Sequence, residues 1–193
     1  MKRTLLFFIV ISFCAATAHA TTITYGAILN GPSEFPPNAS PGTGTALVTY
    51  DDVLHTLDVE ITFSGLIGTT TASHIHCCTA VAGAGAVGVA TITPSFTGFP
   101  LGVTSGTYSH LYDLTAAGAF NPAFVTASGG TFAGAEAALA AGLAADKAYL
   151  NIHSSFLGGG EIRGFLTPVP EPATLALLGL GLTGFVAARR RRR

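Results

Sequence analysis

The stretch Ala72-Ser73-His74-Ile75-His76-Cys77-Cys78 places two of the chain's six histidines and two of its three cysteines in five consecutive positions. In an extended strand, side chains alternate between faces, so His74, His76 and Cys78 fall on one side and Ile75 and Cys77 on the other. Two further segments carry ligand-type residues: Tyr149-Leu150-Asn151-Ile152-His153 and Gly160-Glu161-Ile162-Arg163-Gly164. If these lie beside the His-Ile-His strand, His74, His76 and His153 supply three imidazoles, with Glu161 or Cys78 as a fourth ligand. Such a nitrogen-rich set suits zinc or copper. The competing arrangement is a hydrogen-bonded polar cluster, in which Glu161 pairs with Arg163 or Lys147 and the histidines bond backbone carbonyls or Asn151.

Other chemistry finds less support. There is no Gly-x-Ser-x-Gly elbow, since Ser73 precedes histidines in a strand and Ser128 lies in a glycine-rich loop. The adjacent carboxylates Asp51 and Asp52 are explained by a hairpin turn. His55 and His110 are isolated, and His55 is expected at the start of a buried face. The sequence therefore assigns no catalytic residue, and a non-enzymatic protein is expected.

The two ends read as targeting segments. Residues 1–20 combine Lys2 and Arg3, an apolar run broken only by Ser12, and Ala18-His19-Ala20, which matches a signal-peptide cleavage site between Ala20 and Thr21. The apolar run is shorter than a spanning helix needs. At the other end, Val169-Pro170-Glu171-Pro172 precedes an apolar run over residues 173–188 and five arginines, 189–193. That run approaches membrane-spanning length, and the arginines would stay cytoplasmic. A permanent anchor is one reading. The order Pro170-Glu171-Pro172, apolar helix, arginine cluster resembles the PEP-CTERM sorting signal of Gram-negative bacteria. The resemblance implies export through the Sec translocon, transient insertion of the tail in the inner membrane, and removal by exosortase, delivering the protein to the cell surface or secreted matrix.

Seven of the nine basic residues lie in these two ends. The intervening residues 21–168 keep only Lys147 and Arg163 against nine acidic side chains, a formal net charge of −7. No basic patch exists to neutralise phosphates, which argues against nucleic acid. Cys14 departs with the leader, leaving Cys77 and Cys78, a vicinal disulfide or a pair of free thiols.

The intervening segment is punctuated as one all-β domain. Strands are expected at 22–29, 45–50, 54–63, 87–92, 107–111, 147–153 and 161–166, in addition to the His-Ile-His strand. Residues 54–63 alternate most cleanly, with Leu57, Val59, Ile61 and Phe63 on one face. Residues 30–43 carry four prolines and form a loop. The alanine-rich run over 131–143 is the one expected helix. Phe96, Phe99, Phe120, Phe124 and Phe132 are expected to fill a core that lacks tryptophan.

Five segments in order carry a second resemblance: Gly31-Pro32-Ser33-Glu34-Phe35-Pro36-Pro37, Gly65-Leu66, Ser73-His74-Ile75-His76, Tyr149-Leu150-Asn151-Ile152-His153 and Gly160-Glu161-Ile162-Arg163-Gly164. Together they resemble the CHRD domain, named for repeats in chordin and found in bacterial secreted proteins. The resemblance implies an immunoglobulin-like antiparallel β-sandwich; with it the sequence itself predicts one short alanine-rich helix and two flanking hydrophobic targeting helices. Cys77-Cys78 departs from the pattern of many members. The resemblance implies no reaction. A structural or binding role in the envelope or biofilm matrix, contacting exopolysaccharide or another envelope component, is expected. The alternative is a zinc or copper protein, and the nearest enzymatic analogue is a copper-zinc superoxide dismutase, for two metals of which the histidines are too few.

Overall fold

The computed structural model describes residues 22–170; the expected leader (1–20) and the expected tail helix (173–188) fall outside the described residues. The described chain is all-β, with eight strands: β1 (Thr22–Asn30), β2 (Thr43–Asp51), β3 (Thr56–Ser64), β4 (Thr70–His76), β5 (Gly106–Asp113), β6 (Tyr149–Ser154), β7 (Ile162–Phe165) and β8 (Thr167–Pro168). Every pairing is antiparallel, in the order β4-β6-β7-β1-β2-β3-β5, with β8 added to β1. The link between β7 and β1 is narrow, a single pairing of Asn30 with Arg163. The sheet curls there into two leaves, β4-β6-β7 and β1-β2-β3-β5, that share one hydrophobic core.

Alternation dictates what faces that core. On β3, Leu57, Val59, Ile61 and Phe63 are buried while Glu60, Thr62 and Ser64 are exposed. Across the narrower leaf, Ile75, Leu150, Ile152 and Ile162 are fully buried. Phe96, Phe99 and Phe120 join them; Phe124 packs only at the margin and Phe132 is more than one third exposed.

Two short helices follow β5 rather than one. Helix α1 (Pro122–Ala127) is capped by the Asn121 side chain, which accepts from the Ala123 amide, with Pro122 in its first turn. Helix α2 (Phe132–Ala144) is the expected alanine-rich helix, capped by Thr131. It buries Ala135, Leu139 and Leu143, and its Glu136 accepts from Tyr50 Oη and pairs with His55 Nδ1, each at 2.9 Å. His55 is therefore a half-exposed turn residue with φ of 53°, not the first residue of a buried face. The expected strand over 87–92 is also absent: this glycine-rich segment forms only the isolated bridges His76 to Val89 and Thr91 to Phe120. Its amides and carbonyls instead cover β4, with the Ala90 and Thr91 amides both donating to Ile75 O.

Glu161 ties the narrow leaf to the loops at one end. Fully buried just before β7, it accepts from Ser40 Oγ at 2.6 Å, the amides of Ile67 at 2.6 Å and Gly68 at 3.2 Å, and Ser154 Oγ. Burial pushes its pKa up, but these donors outweigh burial and hold the carboxyl below its ordinary value. A group depressed in the folded state stabilises fully above its unfolded pKa and loses that contribution as the pH falls through the folded pKa. Glu161→Gln is therefore expected to lower stability by roughly 2–3 kcal/mol at pH 7 and to flatten the acid limb of the stability curve below about pH 4.5, measured by urea denaturation. Equal acid slopes in the two proteins would contradict this role.

Candidate metal centre

The face of β4-β6-β7 turned away from the core carries a row of polar and aromatic side chains. Register puts His74 opposite Asn151, His76 opposite Tyr149, and Ala72 opposite His153. Asn151 in turn faces Arg163, and Tyr149 faces Phe165. His74 and His76 are less than one tenth exposed, because segments around Gly85, Val87, Pro94 and Gly158 pass over this face and bond to it.

Each histidine holds one ring nitrogen against a backbone carbonyl. His74 Nε2 lies 2.6 Å from Pro94 O, His76 Nδ1 2.8 Å from Val87 O, and His153 Nδ1 2.9 Å from Gly158 O. A carbonyl only accepts, so each of these nitrogens carries the proton, and in the neutral ring the other is a bare lone pair. Those others, His74 Nδ1, His76 Nε2 and His153 Nε2, are buried without any protein partner. One ligand atom from each residue lies within 4.8 Å of those of the other two. Ring centroids are separated by 5.1 to 5.9 Å.

Burial without an anion keeps these rings neutral. Desolvation lowers the pKa of all three, with His76 falling to about 4, and mutual repulsion together with nearby Arg163 adds to the effect there. His76 also stacks on Tyr149, centroids 4.7 Å apart, and Tyr149 Oη shares the Val87 carbonyl that fixes the His76 tautomer. A neutral imidazole oriented by an N–H bond to a carbonyl is the form in which histidine ligates metals.

The structure thus brings His74, His76 and His153 together as the sequence implied, and does not bring Glu161 to them. Ser154, the partner of Glu161, alternates with His153 on β6, so the carboxylate is held on the opposite side of the strand by the four donors described above. Arg163 does not pair with Glu161 either. Its Nε donates to Ser33 O and lies 3.8 Å from Glu34, its Nη1 donates to Gly85 O, and its guanidinium lies 4.6 Å over Tyr149. Cys77 and Cys78 are joined in a vicinal disulfide that packs against Gly142 of α2, where a Cβ would collide with both sulfurs. Cys78 is accordingly unavailable as a fourth ligand.

Glu34 had no assigned role in the sequence. It is buried beside Asn151, whose amide approaches it at 3.4 Å, and burial lifts its pKa to about 7. Its signal in the sequence was its place in the 31–37 segment of the CHRD resemblance. The carbonyls of Val87, Pro94 and Gly158 leave no residue-type signature at all.

Comparison with protein-family models decides the family. Residues 25–166 match the CHRD domain. The chain belongs to the CHRD family. Residues 168–192 match the PEP-CTERM protein-sorting motif, which marks this CHRD protein for exosortase-dependent sorting and an extracellular or envelope location. No curated protein and no solved structure gives a significant match. Among the described residues no helix is long and apolar enough to cross a membrane.

In the metal-free protein the His76 ring is expected to remain neutral from pH 8 down to about pH 5, followed as side-chain 15N shifts. A midpoint near the ordinary value of about 6.5 would mean that the ring is solvated rather than enclosed.

Proposed function

We propose that this CHRD protein is an exported, non-enzymatic module that holds zinc or copper on His74, His76 and His153. It would carry the ion at the cell envelope or in the exopolysaccharide matrix. One observation carries the reading: three neutral imidazoles, each with one nitrogen fixed by a carbonyl, keep the other nitrogen buried and unpartnered, and a ligand atom of each lies within 4.8 Å of those of the other two. Leaving three buried acceptors without donors costs free energy in the empty protein, and a bound ion removes that cost. The residues fit the group chemically, since the tautomers are set for ligation and the rings need not lose a proton on binding.

The delivery route in this reading begins with Sec export and cleavage between Ala20 and Thr21. The apolar segment 173–188 then pauses in the inner membrane, with arginines 189–193 on the cytoplasmic side. Exosortase cuts near Pro170-Glu171-Pro172. Intact-mass analysis of protein recovered from the native host should give a species lacking residues 189–193; retention of all five arginines would refute processing.

A second reading, a metal-free scaffold or adhesive module of the biofilm matrix, draws on the outer face of the wider leaf. There Ile28, Leu47 and Val169 are exposed around an open groove of about 630 Å³ near the point where the sorting tail departs. This groove has no converging charged or metal-ligating groups. Metal analysis separates the two readings. Purified wild-type protein should retain about one equivalent of zinc or copper and gain roughly 5–10 °C in Tm at saturating metal, and His74→Ala should abolish both. No metal and no shift on adding either ion would leave the scaffold reading in possession.

A further inference from the structure

We infer that the three-histidine site is built for a monovalent soft cation, copper(I), in preference to a divalent ion. The inference rests on the metal-site reading above and concerns which ion the site takes.

The donor set contains no anion. Among the described residues the ligand-type side chains that converge are the three histidines alone. The nearby acidic and sulfur groups are committed elsewhere. Glu161 is held on the other side of β6 by Ser40, Ser154 and the Ile67 and Gly68 amides. Glu34 faces Arg163 and Asn151. Both cysteine sulfurs are tied to each other against α2. Metal charge would therefore enter an enclosed site with no compensating charge from its ligands.

The charge of the ion decides what this costs. Desolvation energy grows as the square of the charge, so a divalent ion loses about four times the hydration free energy of a monovalent ion of equal size. A guanidinium already stands one ring away: Arg163 lies over Tyr149, and Tyr149 stacks on His76 in near-parallel planes, 6° apart. Its repulsion also doubles when the ion's charge doubles. Alkali cations, though monovalent, prefer oxygen donors, whereas imidazole nitrogen suits copper. The filled d shell of copper(I) accepts three-coordination. Zinc is normally held by four ligands and would need one from solvent.

Anaerobic competition on the full chain tests this, using copper(I) supplied as its acetonitrile complex, bicinchoninate as the competing chelator, and zinc(II) sulfate as the rival ion. The expected result is one equivalent of copper(I) withdrawn from the chelator and not displaced by a tenfold excess of zinc(II). His153→Ala, checked for folding by circular dichroism, should weaken retention more than about 100-fold, beyond the loss typical of a mere supporting partner. Ala72→Asp adds a carboxylate on the same strand face, opposite His153, and should shift the preference toward zinc(II) at least about tenfold, since it supplies the missing anion. Zinc(II) held at one equivalent against equimolar copper(I) would overturn this inference while leaving the metal site standing, and an Ala72→Asp preference equal to wild type would overturn its electrostatic basis. Retention of neither ion would overturn both this inference and the metal reading beneath it.

Discussion

Three imidazoles enclosed on one face of a three-stranded leaf, each donating its only N–H to a loop carbonyl, form the constraint on which this molecule's architecture turns. Val87 O and Pro94 O come from the long connection between β4 and β5, Gly158 O comes from the turn between β6 and β7, and each must be delivered to within 3 Å of a particular ring nitrogen. Segments with little regular structure of their own, such as the glycine-rich run after Cys78, are thereby pinned over β4. The rings cannot protonate readily in that enclosure, so they remain neutral and keep one lone pair each. The hydrophobic core on the opposite face of the leaf supplies the rigidity, through Ile75, Leu150, Ile152 and Ile162.

Around this centre the two charged groups of the last strand divide the work by side. Glu161 gathers Ser40, Ser154 and the Ile67-Gly68 turn, locking the end of the sheet. Arg163, two residues later, projects toward the histidine face, where it braces Tyr149 and answers Glu34. Strand alternation alone would put both residues on one face, but Glu161 precedes β7 and its backbone is set by a bond to Ile152 O. This local departure is why a carboxylate with ligand chemistry ended as a structural anchor.

Much of the site was legible from residue types. His-x-His on a strand must place both rings on one face, and a second strand bearing Asn151 and His153 needed only to pair with it; antiparallel register between β4 and β6 brought that about. The alternating β3 and the alanine-rich α2 were legible for the same reason, since local pattern and tertiary burial agree in them. Residues 87–92 were not. Valines and threonines among glycines look like strand, but this segment bonds the β4 backbone at Ile75 and the His76 ring, which no local pattern encodes. Glu34 was hidden for a related reason: in a proline-rich loop, one acidic residue reads as solvated until a distant Arg163 and Asn151 are seen beside it.

In the proposed metal centre three histidine nitrogens, and nothing else from the protein, hold the ion. X-ray absorption on the metal-loaded protein measures this most directly. The predicted first shell contains three nitrogen scatterers at about 2.0–2.1 Å, with the outer-shell multiple-scattering pattern of imidazole from three rings. A shell dominated by oxygen or sulfur, or containing fewer than three imidazoles, would contradict it.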